Sequence, residues 1–292
     1  MSKYARRFMA VYLPLLAAFC VWVLLDAFVI RYAETTAEQP SAVSAAPAAP
    51  IVTADSYVSG SISVTLREET WNGTAVHTAD VVLTDASLLR AALAEDTYGR
   101  NITETVAAQA ERHDAILAIN GDYYGSRRTG YVIRNGVLYR AAARKGQTDL
   151  CLWPDGTMTL IREDEISAES LSEQGVLQVF SFGPGLVENG EVLVSALDEV
   201  EQAMTSNPRT AVAMIEPLHY LLAVSDGRTE ENAGLSLLKL AEFLRDRGAV
   251  TAYNLDGGGS STMVFMGEVI NFPTARGFYQ ERAVSDIVYI AE

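Results

Sequence analysis

Cysteine and histidine are scarce in this 292-residue chain, which has two of the first and three of the second. Cys20 lies inside an apolar run and Cys151 far downstream, so the two cannot pair; no disulfide framework is expected and the folded part must rest on its core. His77, His113 and His219 stand in unrelated settings without ligand spacing, and with Cys151 alone they suggest no metal site. Basic residues are also in deficit. Beyond residue 31 the totals of 22 Lys and Arg and 37 Asp and Glu shrink to 18 and 36, a net charge of −18. Such a surface repels nucleic acid, and any anionic ligand must be met by a few local cations. The glycine triplet in NLDGGGSSTMVF, residues 254–265, has no lysine after it, which excludes the phosphate loop of ATP and GTP hydrolases. Ser260 and Ser261 lack a G-x-S-x-G elbow, against a serine hydrolase, and nothing in the chain calls for a cofactor.

Hydrophobic residues are plentiful at 49%, ample for a real core. Part of this sits in FMAVYLPLLAAFCVWVLLDAFVI, residues 8–30, where Asp26 alone is charged. A run of that length suffices for a hydrocarbon slab of roughly 30 Å and reads as one transmembrane helix. Lys3, Arg6 and Arg7 precede it, so the expectation is a single-pass membrane protein with its domain extracytoplasmic, in contact with the membrane through this helix. A cleaved signal peptide is the alternative, although its apolar region would be about 7–15 residues. The expected divisions are residues 1–31 as tail and anchor, 32–55 as an Ala/Pro/Ser linker containing Pro40, Pro47 and Pro50, and 56–292 as the folded domain.

Within that domain, Asn72-Gly73, Asn135-Gly136, Asp155-Gly156 and Asn189-Gly190 interrupt apolar runs and predict hairpins. Helical spacing is visible at 86–94, 103–113 and 234–248, the last with Ser236, Lys239, Glu242 and Arg245 on one face and Gly248 as a stop. HYLLAVSDGR, this helix and AVTAYNLDGGG read as strand, crossover helix, strand, so the two strands point the same way and place Asp226 and Asp256 at one sheet edge. Asp122, after the apolar strand AILAIN, can join them there. The expected fold is α+β, a mixed sheet with hairpins and a strand–helix–strand unit, preceded by the transmembrane helix.

Taken alone, DGGGSS is a tight turn, but it stands in company. INGDYYG (119–125), FSFGPGLVENG (180–190), NPRTAVAM (207–214), SDGR (225–228), GLSLLKLAEFL, NLDGGGSSTM (254–263) and RAVSDIVYI (282–290) follow one another in an order that resembles the phosphodiester glycosidase family. The likeness covers roughly residues 100–292, and the combination is far more specific than any one piece. The resemblance implies hydrolysis of sugar-1-phosphodiesters, typically releasing N-acetylglucosamine, with cell-envelope or exopolysaccharide material as the expected substrate. It puts Asn120, Asp122, Arg209, Asp226, Arg228, Asp256, Gly257, Gly258, Gly259, Ser260, Ser261, Thr262 and Arg282 at motif positions. Two positions depart from the family's pattern: Asp122 replaces a glycine in Asn-Gly-Gly-aromatic-aromatic, and Ala213 replaces the glycine that often follows the Arg-Thr-Ala-Val run.

The leaving group of such a substrate is already a stable anion, so charge handling dominates its chemistry. Gly257, Gly258 and Gly259 let backbone approach a phosphate, with the Ser260 and Ser261 hydroxyls beside them, and Arg209 and Arg282 offer guanidinium forks. Cleavage at the sugar C1 needs a carboxylate, for which Asp256 is the first choice and Asp226 or Asp122 the second. Plainer roles compete at each position: a turn at Asp226, structural ion pairs at the arginines, core filling at Tyr123 and Tyr124. At the level of the whole chain the rival is a non-catalytic glycan-binding or exopolysaccharide-assembly protein, which would not need the carboxylate set.

Overall fold

The four hairpins form where the turn pairs lie: Ile62–Trp71 pairs with Thr74–Leu83, Val132–Arg134 with Val137–Arg140, Thr148–Leu152 with Met158–Arg162, and Gly185–Glu188 with Glu191–Val192. Asn72, Asn135 and Asn189 adopt left-handed backbone before a left-handed glycine, which matches the twist of two tightly joined strands. The computed structural model describes residues 3–37, 49–195, 206–275 and 278–292, with side chains from Tyr12 onward. Pro40 and Pro47 of the expected linker lie outside the described residues, whereas Tyr32–Thr36, on its near side, is a strand paired with Thr97–Arg100.

Strands dominate. A nine-stranded sheet runs from Glu191–Val192 through Gly185–Glu188, Thr251–Asn254, Arg209–Glu216, His219–Ser225, Thr74–Leu83 and Ile62–Trp71 to two short edge strands. One five-stranded sheet is built on Leu117–Asn120 and Asp286–Ile290, another on Thr148–Leu152 and Gln178–Phe180. Val64, Val81, Leu222 and Tyr253 of the large sheet pack with Ile119, Val288, Leu150 and Phe180 of the other two in one buried core. Leu237–Asp246 covers the opposite face of the large sheet with Leu240, Phe243 and Leu244 against Val76, Leu221 and Ala252. Its ends are as the sequence implied: the Ser236 hydroxyl accepts from the Lys239 amide at 3.2 Å, and Gly248 follows the C-cap with φ of +88°.

Three expectations are corrected. The mixed α+β reading gives way to a mostly β fold in which every described strand pair is antiparallel; besides the N-terminal helix, the described α-helices are only Val106–Arg112, Ala168–Glu173 and Leu237–Asp246. Residues 86–94 are the 3-10 turn Ala86–Leu88, the strand Leu89–Leu93 and the start of a second 3-10 turn at Ala94, because pairing with Asp286–Ile290 buries all five strand residues and overrides their helical spacing. The transmembrane helix also falls: among the described residues no helix is long and apolar enough to cross a membrane. The helix Lys3–Phe28 has described side chains only from Tyr12, and Asp26 in its last turn is held by Tyr32, by Arg128 at 3.2 Å and by Arg100 at 3.9 Å, all on or beside the folded part. Membrane contact through this helix is withdrawn with it.

The strand–helix–strand reading survives in modified form. His219–Ser225 and Thr251–Asn254 do point the same way, but Arg209–Glu216 lies between them, antiparallel to both. Ser225 pairs with Arg209 and Asn254 with Ala211, so Asp226, the next residue of one strand, and Asp256, two residues past the other, emerge at the same edge.

One core residue carries an unusual charge state. Asp149, on the strand Thr148–Leu152, is fully buried; burial first, and the nearby Glu163 carboxylate second, push its carboxyl up to about 9. A group raised in the folded state stabilises fully below its ordinary value of 3.8, and that contribution is lost as pH rises through about 9. The denaturation free energy should therefore fall between neutral pH and pH about 9.5, with at most about 1.4 kcal/mol per pH unit arising here. Asp149→Asn should flatten that slope in urea titrations run across the range; parallel slopes for parent and variant would refute the assignment.

Candidate active site

Asn120 joins the sheets at this edge. Its fully buried amide donates to the Asp256 carbonyl at 2.6 Å, while its oxygen accepts from the Thr210 hydroxyl at 2.8 Å and the Thr262 amide at 3.3 Å. The Asp256 amide in turn donates to the Gly121 carbonyl at 3.2 Å. Asn120 thus ties its own motif segment to two others, 207–214 and 254–263, and its burial gives it a clamping position beneath the site.

The glycine loop wraps around the Asp256 carboxylate. Gly257 donates its amide to Oδ1 at 2.9 Å, Ser260 its hydroxyl to Oδ2 at 2.6 Å, and Arg282 its Nη2 to Oδ2 at 2.8 Å. Arg282 also donates Nε to the Ser260 hydroxyl oxygen at 2.9 Å and Nη2 to the Gly257 carbonyl at 3.3 Å. Burial pushes the Asp256 carboxyl above its ordinary value, and the Arg282 charge with the Ser260 and Gly257 bonds opposes it only in part. The Gly258 amide donates to the Pro208 carbonyl at 2.8 Å, so of the three glycines only Gly259 keeps an amide without a bond among the described residues. Glycine is required at 257, where a Cβ would sit 2.9 Å from the Pro208 oxygen, and at 258, where φ is +62°.

Asp226 occupies the same edge with different partners. It accepts from the Phe272 amide at 2.8 Å and from Asn271 Nδ2 at 3.4 Å, and His77 Nε2 lies 3.4 Å from its other oxygen. Burial alone would raise its carboxyl, but the His77, Phe272 and Asn271 bonds together hold it below the ordinary value. Asp226 and Asp256, two carboxylates at one edge, are pushed in opposite directions. Neither His77 nor Asn271 was among the sequence candidates. His77 gives no sign beyond being a lone histidine in a strand, and Asn271, which also donates to the Ser261 carbonyl at 3.0 Å, sits in an unremarkable loop.

Asp122 is fully buried. Its Oδ2 lies 2.9 Å from Arg134 Nη2 and accepts from the Ser181 amide at 2.8 Å, and its Oδ1 accepts from the Tyr124 amide at 3.1 Å. Arg134 also reaches Asp286 at 2.8 Å. The aspartate that departs from the family's pattern is thus one arm of a buried ion cluster. Arg209 is buried too, donating Nε to the Leu235 carbonyl at 2.9 Å beside Gly257. Ser261 and Thr262 are buried; Arg228 is exposed, and Arg282 partly so. Of the two tyrosines, Tyr124 is core, stacked on Tyr98 at 5.4 Å, whereas Tyr123 faces outward with its ring 5.9 Å from the Arg282 guanidinium. Tyr123 and Arg228 both hold left-handed backbone, at +66° and +62°, a strain of about 1–3 kcal/mol each that the surrounding structure must hold in place. No group of three or more His, Cys, Asp or Glu among the described residues could hold a metal ion.

Residues 113–291, which hold this edge and the ion cluster, match a model of the phosphodiester glycosidase family, and the chain belongs to that family. It is similar to the SPbeta prophage-derived uncharacterized protein YomE of Bacillus subtilis (strain 168), 29% identical over 199 residues that make up 66% of this chain and 30% of that protein. It is also similar to the N-acetylglucosamine-1-phosphodiester alpha-N-acetylglucosaminidase of Mus musculus, 33% identical over 164 residues, 50% of this chain and 30% of that protein. The chain therefore spans about a third of the length of these curated relatives. Among solved structures, the catalytic domain of the zebrafish N-acetylglucosamine-1-phosphodiester alpha-N-acetylglucosaminidase, auto-inhibited by its pro-peptide, shares the fold with a TM-score of 0.63 at 22% identity, covering 79% of this chain and 83% of that one.

The two best-placed arginines should separate cleanly. Arg134→Ala strands two buried carboxylates and should cost about 3–5 kcal/mol. Arg282→Ala removes a partly exposed partner and should lower the melting temperature by only about 2–4 °C. Thermal melts of the two variants check this, and an equal or reversed order would contradict the assignment of Arg134 to the fold and Arg282 to the surface of the site.

Proposed function

We propose that the chain hydrolyses sugar-1-phosphodiesters, with an N-acetylglucosamine-like sugar, in cell-envelope or exopolysaccharide material outside the cytoplasm. Membership of the family supports the class of reaction, and the name of the mouse relative supports the sugar. The observation that carries the reading is Asp256, a carboxylate at a sheet edge whose pairing arginine, Arg282, is itself partly exposed and able to receive a phosphate.

In this reading Arg282 serves two anions in turn. A bound phosphodiester draws the guanidinium toward its own oxygens, and Asp256 is left a stronger base in a dry setting. Asp256 then takes a proton from water as that water's oxygen bonds to C1, or bonds to C1 itself in a glycosyl ester whose C1–O bond a water then breaks, returning the carboxylate. The C1–O bond breaks and its electron pair leaves on the phosphate oxygen, where Arg282 and Arg228 offset the charge. The products are the free sugar and a phosphate monoester, with the proton from water passing to solvent. Asp226, held ionised by His77 and the Phe272 amide, adds negative potential at the same edge.

Asp256→Asn keeps the size of the side chain and removes its charge. It should lower turnover of a sugar-1-phosphodiester by about 10²- to 10⁴-fold while the protein stays folded. Because burial raises the Asp256 carboxyl and the group must be ionised to act, kcat/KM should fall on the acid side at a pH above the ordinary aspartate value of 3.8. An active parent whose Asp256→Asn variant keeps the parent rate would move the chemistry to Asp226. A parent that binds N-acetylglucosamine glycans but turns over no sugar-1-phosphodiester would favour the non-catalytic glycan-binding reading.

A further inference from the structure

The second carboxylate of the edge, Asp226, is tied to a part of the chain that the family match does not reach. That match covers residues 113–291, whereas His77 lies ahead of them, on the strand Thr74–Leu83 inside the nine-stranded sheet. The register explains how it arrives at the site. His77 stands directly opposite Val224 on one neighbouring strand and opposite Glu68 on the other. Asp226 is two residues beyond Val224, so it is the diagonal neighbour of His77, and the imidazole Nε2 meets its Oδ2 at 3.4 Å. Ala79 and Val81, further along the same face of the strand, are fully buried in the core between the sheets, so His77 closes that core at the site's edge.

The two oxygens of Asp226 have different partners. Oδ1 accepts from the neutral donors of Phe272 and Asn271, while Oδ2 faces the imidazole. On the far side of the ring, Nδ1 lies 4.0 Å from the exposed Glu68. Among the described residues, Glu68 and Asp226 are the charged groups within ion-pair reach of His77. Arg67 and Glu69 flank Glu68 in sequence but stand on the opposite face of the sheet, where Arg247 binds Glu69. Arg228, two residues after Asp226, is bonded to the Asn207 side-chain oxygen at 3.1 Å. The buried carboxylate at the site thus has an imidazole as its charged neighbour, and that imidazole looks out onto Glu68.

We propose that His77 is a positioning residue for the reaction, holding Asp226 in the orientation from which its carboxylate acts on the sugar C1. This rests on the sugar-1-phosphodiester reading. As the C1–O bond lengthens, positive charge develops at C1 and the ring oxygen, and a carboxylate already fixed in place stabilises it without reorganising. His77 does not touch the substrate; it acts through Asp226. The hairpin of residues 62–83 therefore supplies part of the site from outside the matched segment.

The test is steady-state kinetics of the full chain, with the methyl phosphodiester of N-acetylglucosamine 1-phosphate as substrate. His77→Phe keeps a ring and removes the donor, and should lower kcat about 10- to 100-fold while leaving KM within about twofold. His77→Gln restores an N–H at similar reach and should recover most of that loss. Burial works to raise the Asp226 carboxyl and His77 heads the contacts that oppose it, so without the imidazole the acid limb of kcat/KM should move to higher pH. In an Asp226→Asn background, His77→Phe should cost no more than about twofold, because the carboxylate it serves is gone. If the phenylalanine variant does not fold, His77→Asn, whose amide stops short of Asp226, takes its place in each comparison. Unchanged kcat and acid limb in His77→Phe, no recovery in His77→Gln, or losses that add in the double variant overturn the assignment. A parent that turns over no sugar-1-phosphodiester overturns the reaction and this inference with it, whereas an active parent with any of those results overturns this inference alone.

Discussion

The contact on which this edge depends is the one made by Arg134. Its guanidinium, fully buried, lies between the carboxylates of Asp122 and Asp286 and also donates to the Ile133 and Val179 carbonyls. Burial would lower the arginine, but the two carboxylates outweigh it and raise it, so the positive charge is permanent. Two acids share one cation, and burial with the Asp122 charge beside it pushes the Asp286 carboxyl up. The cluster fixes Gly121 as well, since a Cβ there would come within 2.3 Å of an Asp286 oxygen. Asp286 begins one strand, Asp122 follows another, and Arg134 belongs to the neighbouring sheet, so three elements are locked in a single register.

That lock reaches the Asp256 carboxylate in two steps. Gly121, pinned by Asp286, accepts from the Asp256 amide, and Asn120, the residue before it, grips the Asp256 carbonyl. The backbone of Asp256 is therefore fixed from below. Its carboxylate is held from above by the Ser260 hydroxyl and by Arg282, which has an exposed side. A rigid underside and an adjustable upper partner are the conditions under which one arginine can alternate between a carboxylate and an incoming phosphate without the site collapsing.

Much of this was legible in the sequence wherever the determinant is local. Asn-Gly turns act through two residues, and Ser236 and Gly248 mark the ends of one helix through the same short-range rules. The shared edge of Asp226 and Asp256 followed from chain direction alone, and it holds even though Arg209–Glu216 intervenes. What escaped depends on distant partners. Leu89–Leu93 has helical spacing but pairs with the last strand of the chain, and the apolar run at 8–30 ends in an Asp26 that belongs to the domain surface. The site followed the same division. The motif residues cluster, yet their sequence does not say which are outermost: Asn120, Asp122 and Arg209 are buried, while Arg228 and Arg282 reach the surface. His77 and Asn271 were invisible because only the folded chain brings them to Asp226.

The glycine loop shows why composition is a poor guide to what binds. Three glycines suggest a nest of backbone donors, but the Gly257 amide is spent on Asp256 and the Gly258 amide on Pro208. What the loop gains from lacking side chains is closeness: Gly257 passes against the Pro208 carbonyl, and the Arg228 guanidinium lies over Gly258. The glycines thus bring two arginines against one loop in a chain that is otherwise strongly negative. Against that background, the proposed recognition of an anion rests on Arg228 and Arg282, because their charge reaches further than a single amide and survives partial exposure.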